Sequence, residues 1–156
     1  MEEASPFDAD CIKAEKIALR LIARAEQNSS ALAVKLGKKG IDPSIARRVI
    51  SGLLDRGLLD DERYAELWIR AHIGRKAPSP LWFLVSLEKR GIGRKVSLNA
   101  IDKVLDEETE LSLLLGYVEK MDVHFKGAPG FLRAKLRHER FSSEAIDKFF
   151  ASKYLF

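Results

Sequence analysis

The stretch "LGKKGID", Leu36 to Asp42, returns as "LEKRGIG" at Leu87–Gly93 and as "LRHERFS" at Leu136–Ser142, which places the three leucines 51 and 49 residues apart. Downstream the register holds without a gap: Ile45, Val96 and Ala145 coincide, then Val49, Ala100 and Phe149, then Ile50, Ile101 and Phe150. Apolar positions that agree over a whole helix at a period of about fifty residues are the mark of a repeat architecture. Three copies of one unit are therefore expected in the 156 residues.

Each copy reads as three short helices. In "AEKIALRLIARAEQ" the residues Ile17, Leu21 and Ala25 share a face with Ala18 and Ile22, the spacing of an amphipathic helix. A second helix follows "NSS" and runs to about Lys39, where Gly40 can adopt the left-handed conformation that ends it. Asp42 and Pro43 then suit the cap and first position of a third helix, "SIARRVISGLLDR", which stops at Gly57. In the second copy Ser79-Pro80 opens the middle helix and Gly91 closes it. The third begins near Glu107, resumes at Pro129 and starts its last helix at Ser142, with Arg140 where the other copies have Gly40 and Gly91, so that turn is expected to differ or to be mildly strained. No segment alternates with period two for long enough to be a strand. The expected fold class is all-α: three tandem three-helix repeats at residues 14–57, 58–106 and 107–156, after an acidic N-terminal segment 1–13.

The acids of "GLLDDERYA" (Gly57–Ala65) belong to this scheme. Asp60 or Asp61 fits as the N-cap of the helix "DERYAELWIRAHIGR", with the other carboxylates in its first turn, where free N–H groups and the helix dipole favour negative charge. A metal or acid–base role needs converging partners, and His72, His124 and His138 share no ligand spacing with these acids or with one another. Cys11, the single cysteine, can form no internal disulfide and reads as a packing residue. No cofactor, no metal site and no catalytic residue is expected: the chain has no Gly-rich phosphate loop, no Ser-His-Asp-like arrangement and no ligand cluster.

Net charge is +4, but its distribution says more than the sum. Residues 1–17 carry −3, 18–61 carry +3, 62–101 carry +5, 102–122 carry −5 and 123–156 carry +4. Such segregation shapes a local field that a well-mixed surface lacks. The N-terminus "MEEASPFDAD" is acidic where a signal peptide would be basic, and no run of eighteen apolar residues occurs, so a cytoplasmic protein without a membrane span is expected.

"GLLDDERYAELWIR" resembles the start of the second unit of RecX proteins, regulators of the bacterial recombinase RecA, at Gly57, Leu58, Leu59, Asp61, Arg63, Tyr64, Ala65, Trp68, Ile69 and Arg70. "ALRLIARAEQNSSALAVKLGKKGI" is similar to the family's first unit, with its opening at Ala18, Leu19, Ile22 and Arg24. The resemblance runs from about residue 14 to the C-terminus, strongest as far as Arg70. It implies a crescent-like, elongated array of three helical modules, a monomer, and binding to RecA or its filament on single-stranded DNA that restrains the recombinase in DNA repair and the SOS response. The chain departs from the family pattern in helix five, "KAPSPLWFLVSLEKRG", where Trp82, Leu84 and Ser86 replace residues that are usually glycine, basic or acidic. Apolar at Leu81, Trp82, Phe83, Leu84, Val85 and Leu87, this helix is expected to be wedged between units, with Trp82 in the core. Trp68 and Tyr64 are expected in the core as well.

The partner or DNA-binding residues expected under this resemblance are Arg47, Arg48, Arg70, Arg75, Lys76, Lys89, Arg90, Arg94 and Lys95. A second class of function is a helix-turn-helix protein that acts directly on DNA. Its candidate reading helices offer few side chains suited to base edges, chiefly Arg47, Arg48 and Asn99.

Overall fold

The computed structural model describes residues 5–74, 78–121 and 129–153. Among them run nine α-helices and no strand: α1 (Pro6–Arg24), α2 (Ser29–Lys38), α3 (Pro43–Asp55), α4 (Asp61–His72), α5 (Pro80–Lys89), α6 (Arg94–Val104), α7 (Glu107–Met121), α8 (Pro129–His138) and α9 (Ser143–Lys153). The fold is all-α. The chain divides into two compact units, one comprising the residues through Tyr64 together with Arg90–Ile92, the other Ala65–Lys89 and the residues from Gly93 onward.

In the first unit α1 packs on α2 and α3, and α2 on α3. Ala14 and Ala18 of α1 are fully buried against Leu32, Leu36, Ile45, Val49, Ile50 and Leu53. Small residues on α1 let the helices approach closely, and each fully buried leucine contributes about 1.5–3 kcal/mol through removal of apolar surface from water. The helix starts earlier than its sequence periodicity suggests, at Pro6, because Ser5 caps it by accepting the Asp8 N–H at 3.2 Å. It also stops earlier, at Arg24. Gln27 is buried beyond that end, where its side-chain amide donates to the Leu21 and Ala25 carbonyls and accepts from Lys35 Nζ at 2.6 Å.

In the second unit α5 packs on α6, α7 on α9 and α8 on α9. Phe83, Leu87, Ala100, Leu114, Leu136 and Phe149 are buried there. The positions matched by the internal alignment behave alike: Leu36, Leu87 and Leu136 are all fully buried, and of the nine residues aligned downstream only Val96 is half-buried.

Gly40, Gly57 and Gly91 have φ of +80°, +70° and +82°, as helix-ending residues in the left-handed region do. Arg140 adopts the same conformation at φ +66°. The hydrogen bonds match too, Ile41 N–H to Leu36 O and Phe141 N–H to Leu136 O, both at 3.1 Å. The third turn thus keeps the geometry of the first and places the strain in Arg140, since a Cβ is disfavoured at positive φ.

Candidate partner-binding surface

Helix phase sets which basic side chains reach water. On α3, Ile45, Ala46, Val49 and Ile50 face the core of the first unit, which leaves Arg47 and Arg48 exposed on the other side. The Arg48 guanidinium lies over the Phe7 ring at 5.1 Å, and Arg47 is close enough to Asp42 to help hold that carboxyl below its usual pKa, an effect due first to its hydrogen bonds with Ser44. Arg90, also exposed, begins the short segment Arg90–Ile92 that belongs to this unit.

In the second unit Arg70 on α4, Lys89 at the end of α5, and Arg94 and Lys95 at the start of α6 are exposed. Arg94 pairs with Glu88 at 3.1 Å. Arg70 lies near Asp106, whose carboxyl is held below its usual pKa mainly by hydrogen bonds from Thr109. Arg75 and Lys76 lie outside the described residues.

The opening of α6 is chemically unusual. Helices α1, α2, α3, α4, α5, α7 and α9 each start with a side chain that accepts a first-turn N–H: Ser5, Asn28, Asp42, Asp60, Ser79, Asp106 and Ser142. Helix α6 starts at Gly93 with no such cap and places Arg94 and Lys95 in the first turn. Cations there oppose the helix dipole, at a cost of a few tenths to about 1 kcal/mol each. A carboxylate or phosphate from a partner relieves both the uncapped N–H groups and the paired positive charge.

The acids of "DDER" are structural. Asp60 Oδ1 accepts the Arg63 N–H at 3.0 Å and caps α4. Asp61 does something sequence spacing does not reveal: it accepts from Ser29, at the start of α2. Among the described residues no group of three or more His, Cys, Asp or Glu side chains could hold a metal, and no described helix is long and apolar enough to cross a membrane.

Helix α5 departs from expectation. It buries Phe83, Leu84 and Leu87 on one face but leaves Trp82 44% and Val85 39% exposed. Trp82 is therefore not a core residue, because its position lies about 150° around the helix from the centre of the buried stripe. Trp68 and Tyr64 are half-buried, and the fully buried positions of α4 are Ala65 and Ile69. The Trp68 ring stacks on His72 at 4.0 Å and on Trp82 at 5.5 Å, both within 23° of parallel, and Trp82 meets Phe83 edge-on at 5.4 Å. His72 Nδ1 is 2.7 Å from the Trp68 carbonyl oxygen. The i, i+4 spacing of Trp68 and His72 was visible in the sequence; their junction with Trp82 was not.

The backbone of Trp82 is firmly held. Its N–H donates to Ser79 Oγ at 3.2 Å, and that hydroxyl donates to Glu139 Oε2 at 2.5 Å. Lys135 Nζ completes the cluster at 2.9 Å from Glu139. Burial works against ionisation of Glu139, but the hydrogen bonds from Ser79 and Lys135 outweigh it and hold the carboxyl below its usual pKa. The same contact to Glu139 raises Lys135, and burial, then the Glu139 charge, raises Tyr117 nearby.

No family model matches the chain. Individual proteins do. It is 31% identical over 140 residues to regulatory protein RecX of Treponema pallidum, covering 90% of this chain and 85% of that one. It is 35% identical over 125 residues to regulatory protein RecX of Halorhodospira halophila, covering 80% and 74%. The crystal structure of RecX from Lactobacillus salivarius superposes with a TM-score of 0.70 at 20% identity, over 95% of this chain and 99% of that one. A second crystal structure, of regulatory protein RecX, gives 0.69 at 20% identity. Sequence kinship across most of both chains and a shared all-helical fold establish that this chain belongs to the RecX family of regulatory proteins.

Proposed function

We propose that the chain is a non-enzymatic, cytoplasmic modulator of RecA that binds the recombinase or its filament on single-stranded DNA and inhibits it. The observation that carries this reading is its kinship with proteins named regulatory protein RecX over 90% of its length. The nine described helices serve, in this reading, as three tandem three-helix repeats at 14–57, 58–106 and 107–156, which present basic side chains along the protein. Arg47 and Arg48 in one unit, and Arg70, Lys89, Arg94 and Lys95 in the other, are exposed and suited to acidic protein surfaces or phosphates. The uncapped start of α6, with Arg94 and Lys95 in its first turn, is the strongest local support for an anionic partner.

The test is co-sedimentation with RecA–single-stranded DNA filaments, together with RecA's DNA-stimulated ATPase titrated with this protein. Pelleting with the filament and a dose-dependent fall in ATPase are expected. Absence of both, with the protein folded, overturns the reading. Band shifts that depend on duplex sequence in the absence of RecA would instead identify a helix-turn-helix DNA binder.

A further inference from the structure

We infer that the Trp82–Trp68–His72 cluster is a base-stacking platform through which this protein binds single-stranded nucleic acid directly, without RecA. Two observations converge on it.

First, the cluster is built and left open. Trp82 is backed by Trp68 at 5.5 Å and fixed through its N–H to Ser79, yet 44% of its surface remains exposed. Folding alone would favour a polar residue here, since burial of an aromatic ring is worth more than partial exposure. A ring already held in position loses little freedom on binding.

Second, the surroundings select a polyanion. Among the described residues of this unit Arg70, Lys89, Arg94 and Lys95 are exposed, while the nearby acids Glu66 and Glu88 are engaged by Lys103 and Arg94. On α5 itself Trp82, Val85 and Lys89 are all exposed and follow i, i+3, i+7 spacing, which puts the ammonium stem about 10 Å along the axis from the indole. A flat apolar face beside a cation matches a nucleotide, which offers a π-surface and a phosphate together. An apolar segment of a protein partner would meet the same ring but gain nothing from the excess of positive charge.

The inference stands apart from the RecA reading, because free oligonucleotide is the ligand.

The protein reports on its own site. Its only two tryptophans both lie in the cluster. Titration of the full chain with an oligothymidylate should quench tryptophan emission, and Trp68→Phe, which leaves Trp82 as the sole emitter, should retain the quench. Trp82→Ala should weaken oligothymidylate binding roughly tenfold, as loss of one base–aromatic stack does, while Trp82→Phe retains most of the affinity. Lys89→Ala should lower the salt slope by roughly 0.7, the share of one phosphate on a single strand. Circular dichroism melts of each variant establish that it is folded. Unchanged oligothymidylate affinity in folded Trp82→Ala overturns the inference. So does a loss of RecA–filament binding with oligothymidylate affinity intact, which would make Trp82 a protein contact. Intact oligothymidylate binding through Trp82 with no effect on RecA would sustain this inference while the RecA reading fails.

Discussion

The carboxylate of Asp61 grips Ser29 at two points, accepting the backbone N–H at 2.7 Å and the hydroxyl at 2.5 Å, across 32 residues of sequence. Its neighbour Asp60 caps the helix both residues open, so adjacent acids serve different helices. Glu110 repeats the two-point grip on Ser142 at the start of α9, at 2.6 and 2.8 Å. Asp60→Ala should cost about 1 kcal/mol, an ordinary N-cap loss. Asp61→Ala should cost about 1.5–3 kcal/mol, because its bonds to Ser29 are charge-assisted and partly buried. Urea unfolding of both variants and the double mutant provides the measurement. A catalytic or ligand role for these acids is indicated only if activity vanishes at unchanged stability.

Gly91 and Gly40 share a positive φ, yet their surroundings differ. A Cβ at Gly91 would collide with the Ser30 side chain, whereas nothing lies within reach of one at Gly40. Gly40→Ala should cost about 1–2 kcal/mol from backbone strain alone. Gly91→Ala should cost about 1–3 kcal/mol more through overpacking, and Ser30→Gly in that background should recover part of the difference. Equal melting temperatures for the two alanine variants would refute the contact.

Ser97 is fully buried in α6 and its hydroxyl has no hydrogen-bond partner. An orphaned polar atom in an apolar site costs free energy that a methyl group does not. Ser97→Ala should therefore stabilise the protein by about 1 kcal/mol, against the usual direction of core truncation. Calorimetry decides the sign.

Glu139 links pH to stability. Its folded pKa is depressed, so the contribution it makes is present above the unfolded value near 4.5 and is lost as pH falls through the folded pKa. Acid should weaken the fold progressively below about pH 5, the protons being taken up on unfolding. Ser79→Ala removes one bond that depresses this pKa, and should narrow the stability difference between neutral pH and pH about 3. A difference as large as the wild type's would show that Glu139 is not the linked group.

Arg94→Glu with Lys95→Glu reverses two exposed charges at the uncapped start of α6 without touching an apolar position. Loss of roughly tenfold in affinity for RecA–DNA filaments is expected, with a shallower salt dependence. Lys148→Glu with Lys153→Glu, an equal change on α9, should matter less. ATPase inhibition at two salt concentrations separates the cases: equal loss from both pairs points to net charge alone, and no loss from the first pair removes Arg94 and Lys95 from the surface.

The amino-acid sequence by itself determined the all-helical class, the helix starts at Asp42, Ser79 and Ser142, and the turns at Gly40, Gly57 and Gly91. These follow from interactions within four or five residues, such as N-caps, dipoles and the freedom of glycine at positive φ. It also marked Arg94 and Lys95 as outward-facing, because helical phase puts their apolar neighbours inside. What only the tertiary structure decided are the pairings over distance: Asp61 with Ser29, Glu139 with Ser79, Glu88 with Arg94, and Arg48 with Phe7. Helix α5 shows the reason most clearly. It is apolar nearly all round, so its own pattern cannot choose a face. Packing against α6 chose it, burying Phe83, Leu84 and Leu87 and turning Trp82 out to stack on Trp68.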